Sequence, residues 1–355
     1  MFRKIKNTFT RIKNKIVKEE HRGNKVIYKV CGIRFDISPQ RYLVREIKRL
    51  TAGEDKYKKI IILFNHTGET SFILSGLYQN ATARELDSVL LIGTLGYHKD
   101  LVDLYCPGVD YIYRPDLLWI HVKWGNRQTT IIVNSVSVIL TLVFKYFIEY
   151  EKTIRGEENF LNFFDNLFKG NPRFIKPQYL VPVISEQQKR ILADKIKAAS
   201  VYKKYILICN ESSSNMNFPW WFWFELSRAV RLLGYDVVFN TLVNSPASSL
   251  GKSFYTTLGE GIELAEKAEC VIGLRSGFLD LAFSVSKQMV VLYTPFKYRG
   301  REFPNVSASK IQKAFPLIGL SQNRCNLIEY VIEDPDVYEC HKLISMIISN
   351  LNRGK

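Results

Sequence analysis

Residues 268–295 read AECVIGLRSGFLDLAFSVSKQMVVLYTP. The run Cys270-Val271-Ile272-Gly273-Leu274 is short and apolar, the pattern of a buried strand. Arg275-Ser276-Gly277 supplies a turn, and residues 278–285 repeat apolar side chains at helical spacing. Residues 288–293 form a second apolar run, ended by Thr294-Pro295. Strand, small-residue loop, helix and strand make the βαβ unit of a parallel sheet. A helix starting after Ser276-Gly277 leaves backbone N–H groups and the positive end of its dipole at the strand's C-terminal edge. Open α/β domains hold anionic groups there, most often phosphate. Arg275 adds a fixed charge whose fork suits phosphate or carboxylate. An ordinary βα turn with a surface arginine fits the same residues.

The alternation continues outward. Residues 185–200, 219–233 and 257–267 read as helices, and 204–209 and 235–240 as strands; weak helices follow from 310, with the last at 336–351. In the first half, 24–35, 58–64 (KKIIILF), 88–92, 109–113 and 129–133 read as strands. Residues 39–50, 71–78, 99–105 and the long apolar run 135–151 read as helices. Residues 156–178, polar and aromatic, read as the crossing between halves. Apolar strands alternating with helices predict α/β architecture with parallel sheets. The expected organisation is an N-terminal helix over 1–22, a first Rossmann-like domain over 23–183 and a second over 184–355.

At 355 residues, 46% of them hydrophobic, the chain is long and apolar enough for two real cores, which excludes wholesale disorder. Its six cysteines form no CxxC pair and several sit in apolar runs, which points to a reducing compartment rather than a zinc site. No apolar stretch reaches the roughly 18 residues of a membrane span. A net charge of +16 calls for an anionic partner. Residues 1–20 hold seven basic and two acidic side chains, with Phe2, Ile5, Phe9, Ile12 and Ile16 at helical spacing. A basic amphipathic helix of this kind suits an anionic membrane surface, and packing on its own domain is the alternative.

Three local patterns stand in a telling order. Gly68-Glu69 follows KKIIILF in the first βα loop. Asn210-Glu211-Ser212-Ser213-Ser214 runs to Phe218-Pro219 at a helix start, and Ser276-Gly277-Phe278-Leu279-Asp280-Leu281-Ala282 leads to LYTP. Their order and spacing resemble the heptosyltransferase-like GT-B glycosyltransferases, which build bacterial lipopolysaccharide and related surface glycans. The resemblance is thin in the first half and better from 205 to 295. It implies two Rossmann-like domains facing a cleft, with a C-terminal helix that can pack back on the first domain. Three positions depart from the family pattern. Arg275 replaces a usually acidic residue, Asp280 replaces a histidine, and Met216 stands where a basic residue meets the donor.

The resemblance implies transfer from a nucleotide-sugar donor to a glycan or lipid-linked glycan acceptor, inverting, with no metal or cofactor, at the inner face of the cytoplasmic membrane. No nucleic-acid partner is expected. Such transfer needs a base for the acceptor hydroxyl and a positive cradle for the departing diphosphate. Glu69 is the expected base, with His66 the second candidate. Asn210, Ser212, Ser213, Ser214, Arg275, Ser276, Gly277 and Asp280 are the expected donor-binding set. Asp280 could instead pair with Arg275. With a cradle role, Arg275→Ala would weaken donor binding and leave the melting temperature nearly unchanged. Two other readings remain: a GT-B-like nucleotide-sugar epimerase, and a non-enzymatic basic module for membrane or nucleic acid.

Overall fold

A computed structural model describes residues 17–22, 25–30, 33–52, 56–64, 66–118, 120, 130–141, 180–201, 203–212, 215–241, 245–298, 301–302, 306–314, 317 and 325–353. The chain opens with β1 (Val17–Arg22), β2 (Lys25–Val30), β3 (Ile33–Ile37) and α1 (Pro39–Leu50). Next come β4 (Lys59–Leu63), α2 (Thr67–Asn80), α3 (Ala83–Leu86), β5 (Val89–Gly93), α4 (His98–Tyr105), β6 (Asp110–Tyr113), β7 (Thr130–Val133) and β8 (Val136–Thr141). The later part holds α5 (Glu186–Ala198), β9 (Tyr205–Cys209), α6 (Trp220–Leu232), β10 (Asp236–Asn240), β11 (Lys252–Phe254) and α7 (Leu258–Lys267). It ends with β12 (Cys270–Leu274), α8 (Gly277–Phe283), β13 (Gln288–Tyr293), α9 (Ala308–Ala314), β14 (Asn326–Val331) and α10 (Val337–Arg353).

The described residues fall into two compact units. The first draws on Met1–Phe64, Ala83–Gly96 and Val109–Lys145; the second on Asn65–Thr82, Tyr97–Gly108 and Tyr146–Lys355. The helices α2 and α4 therefore count with the second unit, although the strands before them belong to the first.

In the first unit, β1–β3 form an antiparallel meander, and a separate five-stranded sheet has the order β6-β5-β4-β8-β7. All neighbours in that sheet are parallel except β7 with β8. The core gathers Ile60, Ile62, Leu90, Ile92, Val138 and Leu140 under Leu43 and Ile47 of α1. Ser38 caps α1, and Glu46, buried on that helix, pairs with Arg114 at 2.9 Å. Thr141 Oγ1 stitches β8 to β4, accepting from Phe64 N–H at 3.1 Å and donating to Ile62 O at 2.8 Å.

The second unit is built on a six-stranded parallel sheet of order β11-β10-β9-β12-β13-β14. The chain moves outward from β9 to β11, returns to start β12 on the other side of β9, and moves outward again to β14. The order reverses between β9 and β12, the crevice where doubly wound sheets bind their ligands. Phe222 and Trp223 of α6 enter the core, while Trp221 packs against His341 of α10 with the rings tilted, so most of this aromatic cluster is packing.

Three expectations change. The long helix over 135–151 is instead the strand β8 as far as Thr141; 142–150 lie outside the described residues. The stretch Val136–Thr141 is mostly β-branched, and Asn134 and Ser135 both take positive φ (49° and 67°). That is the two-residue turn of a tight hairpin, closed by the pair Val133–Val136. Val17–Arg22 is a strand rather than the end of the expected N-terminal helix, because β2 offers its main chain; residues 1–16, like 156–178, lie outside the described residues. The third is β14, a strand where weak helices were expected, held along β13 for its whole length. The last helix, α10, buries Cys340, Leu343, Ile347 and Leu351 in the core of the second unit. No helix among the described residues is long and apolar enough to cross a membrane.

Left-handed backbone costs a serine roughly 1–2 kcal/mol and a glycine almost nothing. Ser135→Gly should therefore stabilise the chain by about 0.5–1 kcal/mol after the extra freedom of unfolded glycine is subtracted. A midpoint shift in urea unfolding at unchanged slope will check it.

Candidate functional site

The site starts from two helix N-termini that meet within the second unit. Helix α2 follows His66 (φ −71°, ψ 177°) and α8 follows Ser276 (φ −153°, ψ 162°); neither residue's side chain caps its helix. A Cβ on Gly277 would stand 2.7 Å from Gly68 N and 3.1 Å from Thr67 Cβ. A Cβ on Gly68 would stand 2.9 Å from Asp280 Cγ, 3.1 Å from Gly277 Cα and closer still to Asp280 Oδ2. Only glycine on both sides lets these backbones approach so closely.

Asp280, in the first turn of α8, lies over the first turn of α2 and is buried. Arg275, from the end of β12, pairs with it: Nη1 donates to Oδ2 at 3.0 Å, and Nη2 stands 2.7 Å from Oδ1 as an ion-pair contact without hydrogen-bond alignment. Nη1 also donates to Ser276 O at 2.9 Å. The two side chains are 9% and 5% exposed, so this is a buried ion pair. The Arg275 carbonyl is held in turn, accepting from Ser212 Oγ at 3.1 Å and from Asn215 Nδ2. These bonds tie the loop after β9 to the loop after β12 across the switch point. Asn210, directly after β9, is 4% exposed, and its Oδ1 has no hydrogen-bond partner among the described residues.

Glu69 sits in the first turn of α2 beside this pair. Part of the residue reaches solvent, yet its carboxyl is enclosed enough that burial pushes its pKa up to about 7. A backbone hydrogen bond opposes that rise, the Asp280 charge adds to it and Arg275 lowers it. From α4, Tyr105 brings a buried hydroxyl toward the cluster; burial and then Asp280 raise its pKa, and contact with Ser71 lowers it. His66 Nδ1 lies 3.3 Å from Tyr97 Oη, with the donor set by the imidazole tautomer.

Of the expected residues, Glu69, Arg275, Gly277 and Asp280 come together, Ser276 joins through its carbonyl and Ser212 through the Arg275 carbonyl. Asn210 stands at the end of β9, and His66 immediately precedes α2. Ser213 and Ser214 lie outside the described residues. Arg275 is not the open phosphate-facing charge expected from the sequence. Its fork is filled by Asp280, the alternative partner that the sequence allowed. Asn215 and Tyr105 were not singled out: one sits in a polar loop and the other reads as an apolar helix position. Among the described residues no group of three or more His, Cys, Asp or Glu side chains is placed to hold a metal ion.

No family model and no curated protein matches this sequence. Solved structures do share its fold. The E. coli ADP-heptose LPS heptosyltransferase II aligns at 13% identity and TM-score 0.54, over 83% of this chain and 98% of that one. A glycosyl transferase family 9 structure from Veillonella parvula aligns at 13% identity and TM-score 0.50, over 81% and 89%. The likeness establishes the mixed α/β fold with two parallel-dominated sheets, in agreement with the architecture expected from the sequence.

Gly68→Ala and Gly277→Ala should each destabilise the chain by about 1–3 kcal/mol, the cost of forcing a methyl into a filled space. Gly96→Ala is the control, since no atom lies within 4 Å of its added Cβ. Arg275→Ala should cost about 3–5 kcal/mol because it strands a buried carboxylate, reversing the expectation of an unchanged melting temperature. Denaturant midpoints of the four proteins against the parent will decide.

Proposed function

We propose that this chain is a glycosyltransferase that moves a sugar from a nucleotide-sugar donor to a bacterial surface glycan, lipopolysaccharide or capsule, by inversion and without a metal. The observation that carries the reading is Glu69: a carboxyl in the first turn of α2 whose pKa is lifted to about 7. A general base works best when its proton affinity lies near the working pH. In this reaction the Glu69 carboxylate takes the proton of the acceptor hydroxyl as its oxygen attacks the anomeric carbon. The bond from that carbon to the diphosphate breaks on the opposite face, and the nucleoside diphosphate leaves with the electron pair.

The switch point of the second sheet is the donor side of this reading. Asn210 Oδ1 there is buried without a partner among the described residues, and an acceptor in that state is costly unless a ligand donor meets it. The fold supports the same class, since the E. coli neighbour is by its name an ADP-heptose LPS heptosyltransferase. Docking on the inner face of the cytoplasmic membrane through the basic residues at the start of the chain completes the proposal, with the +16 charge as its motive.

Gln keeps the shape of Glu69 but takes up no proton at neutral pH. Glu69→Gln should lower turnover about 10²–10⁴-fold with donor affinity nearly unchanged. A base must be deprotonated, so parent turnover should rise as pH passes through about 7 and then level off. That limb should vanish from the residual activity of the variant. Turnover within a few-fold of the parent would remove Glu69 from the chemistry, and conversion of nucleotide-sugar without acceptor would mark an epimerase. For the membrane part, a chain lacking residues 1–16 should stay folded and sediment less with anionic liposomes. Equal sedimentation would rule that part out.

A further inference from the structure

We infer that the buried Arg275–Asp280 ion pair is a positioning device for Glu69, locking the start of α8 onto the start of α2 and balancing the charge presented to the carboxyl. The inference rests on the reading of Glu69 as the base and adds a role for two residues that do not themselves meet the substrate.

The geometry comes first. Asp280 Oδ2 fills the space a side chain at position 68 would need, so the Asp280 carboxylate is fixed against the residue next to Glu69. Arg275 Nη1 bonds both Asp280 Oδ2 and Ser276 O, which ties the ion pair to the helix start itself, and Nη2 holds the second carboxylate oxygen at ion-pair distance. The backbone of Arg275 is anchored independently by Ser212 and Asn215. The pair is thus held at both ends.

The charges follow from that placement. Two carboxylates at neighbouring positions cannot both ionise freely, and an unbalanced Asp280 would drive Glu69 toward permanent protonation. Arg275 pairs with Asp280 and offsets its effect, which agrees with the opposite pulls of the two on the Glu69 proton. Among the described residues, α4 and α8 are the helices packed most closely on α2. From α8 the facing charge is Asp280, and from α4 the titratable neighbour is Tyr105, itself sensitive to Asp280. Arg275 comes from the end of β12, and Tyr293 of β13 feels both members of the pair. His66 precedes Glu69 on its own element and is engaged by Tyr97.

The test is the Glu69 titration followed directly in the full chain by carboxyl ¹³C NMR, its signal assigned by its loss in Glu69→Gln. Asp280→Asn should lower the midpoint by about one unit and Arg275→Met should raise it by about as much. The double variant Arg275→Met/Asp280→Asn removes both charges, leaves no stranded ion, and should return the midpoint to within about half a unit of the parent. If Arg275→Met alone does not fold, the Asp280→Asn shift and its reversal in the double variant carry the test. Singles that shift in one direction or not at all, or a double variant still displaced, would overturn the inference. Turnover separates it from the reading beneath. Midpoints that move as stated while Glu69→Gln keeps its turnover would sink the base and leave the pairing intact. Lost turnover in Glu69→Gln with immobile midpoints would keep the base and sink the pairing.

Discussion

Two helix N-termini meet at Gly68 and Gly277, and the rest of the site depends on how their charge is settled. Each N-terminus carries unsatisfied N–H groups and a partial positive charge, so bringing two together is unfavourable unless anions lie in the first turns. Glu69 and Asp280 stand in those turns. Two anions then crowd each other, and Arg275 answers one of them with a buried ion pair. The glycines permit the approach, the carboxylates settle the helix ends, and the arginine settles the carboxylates. Each residue type is forced by the one before it.

This chain of constraints changes the chemistry read at the β12 turn. Seen in sequence, Arg-Ser-Gly at a helix start resembles a phosphate cradle with a positive rim. Folded, the Arg275 guanidinium is turned onto Asp280, and the residue's main-chain carbonyl is held by Ser212 and Asn215.

Legibility in the sequence followed the range of the interaction. Strands such as Tyr205–Cys209 and Cys270–Leu274 are continuous apolar runs and were placed within a residue. Helices α5 and α7 begin with complete capping boxes, Ser185 with Gln188 and Thr257 with Glu260, so their starts are written locally. Failures came where a neighbour decides. The run Val136–Thr141 is apolar enough for a buried helix, and only the left-handed pair Asn134-Ser135 and the partners β4 and β7 make it a strand. Asn326–Val331 carries Glu329 in mid-strand, which hides its pattern until the Tyr293 hydroxyl at 2.7 Å shows how the charge is met. The same holds at the site. Glu69, Arg275 and Asp280 could each be named from type and position. Their assembly depends on Gly68 meeting Gly277 across more than two hundred residues of sequence. Local spacing carries no signal for such a contact, nor for Tyr105 arriving from α4.

A buried ion pair is a poor way to stabilise a fold. Desolvating two charges costs about what their attraction returns, and apolar residues of similar volume often do as well or better. The second unit has no shortage of apolar packing, with Leu274, Leu279, Leu281 and Leu292 fully buried close to the pair in sequence. Stability alone therefore does not explain Arg275 and Asp280. What apolar replacements could not supply is control over a third charge, and the third charge here is Glu69. Its carboxyl is raised by burial and by Asp280 and lowered by its backbone hydrogen bond and by Arg275, a balance that rests near neutrality. Removing the pair as a unit would leave burial against the backbone hydrogen bond, and removing either member would tip the balance by a full charge. The fold thus carries the cost of two desolvated ions where it lets a third group hold its proton loosely.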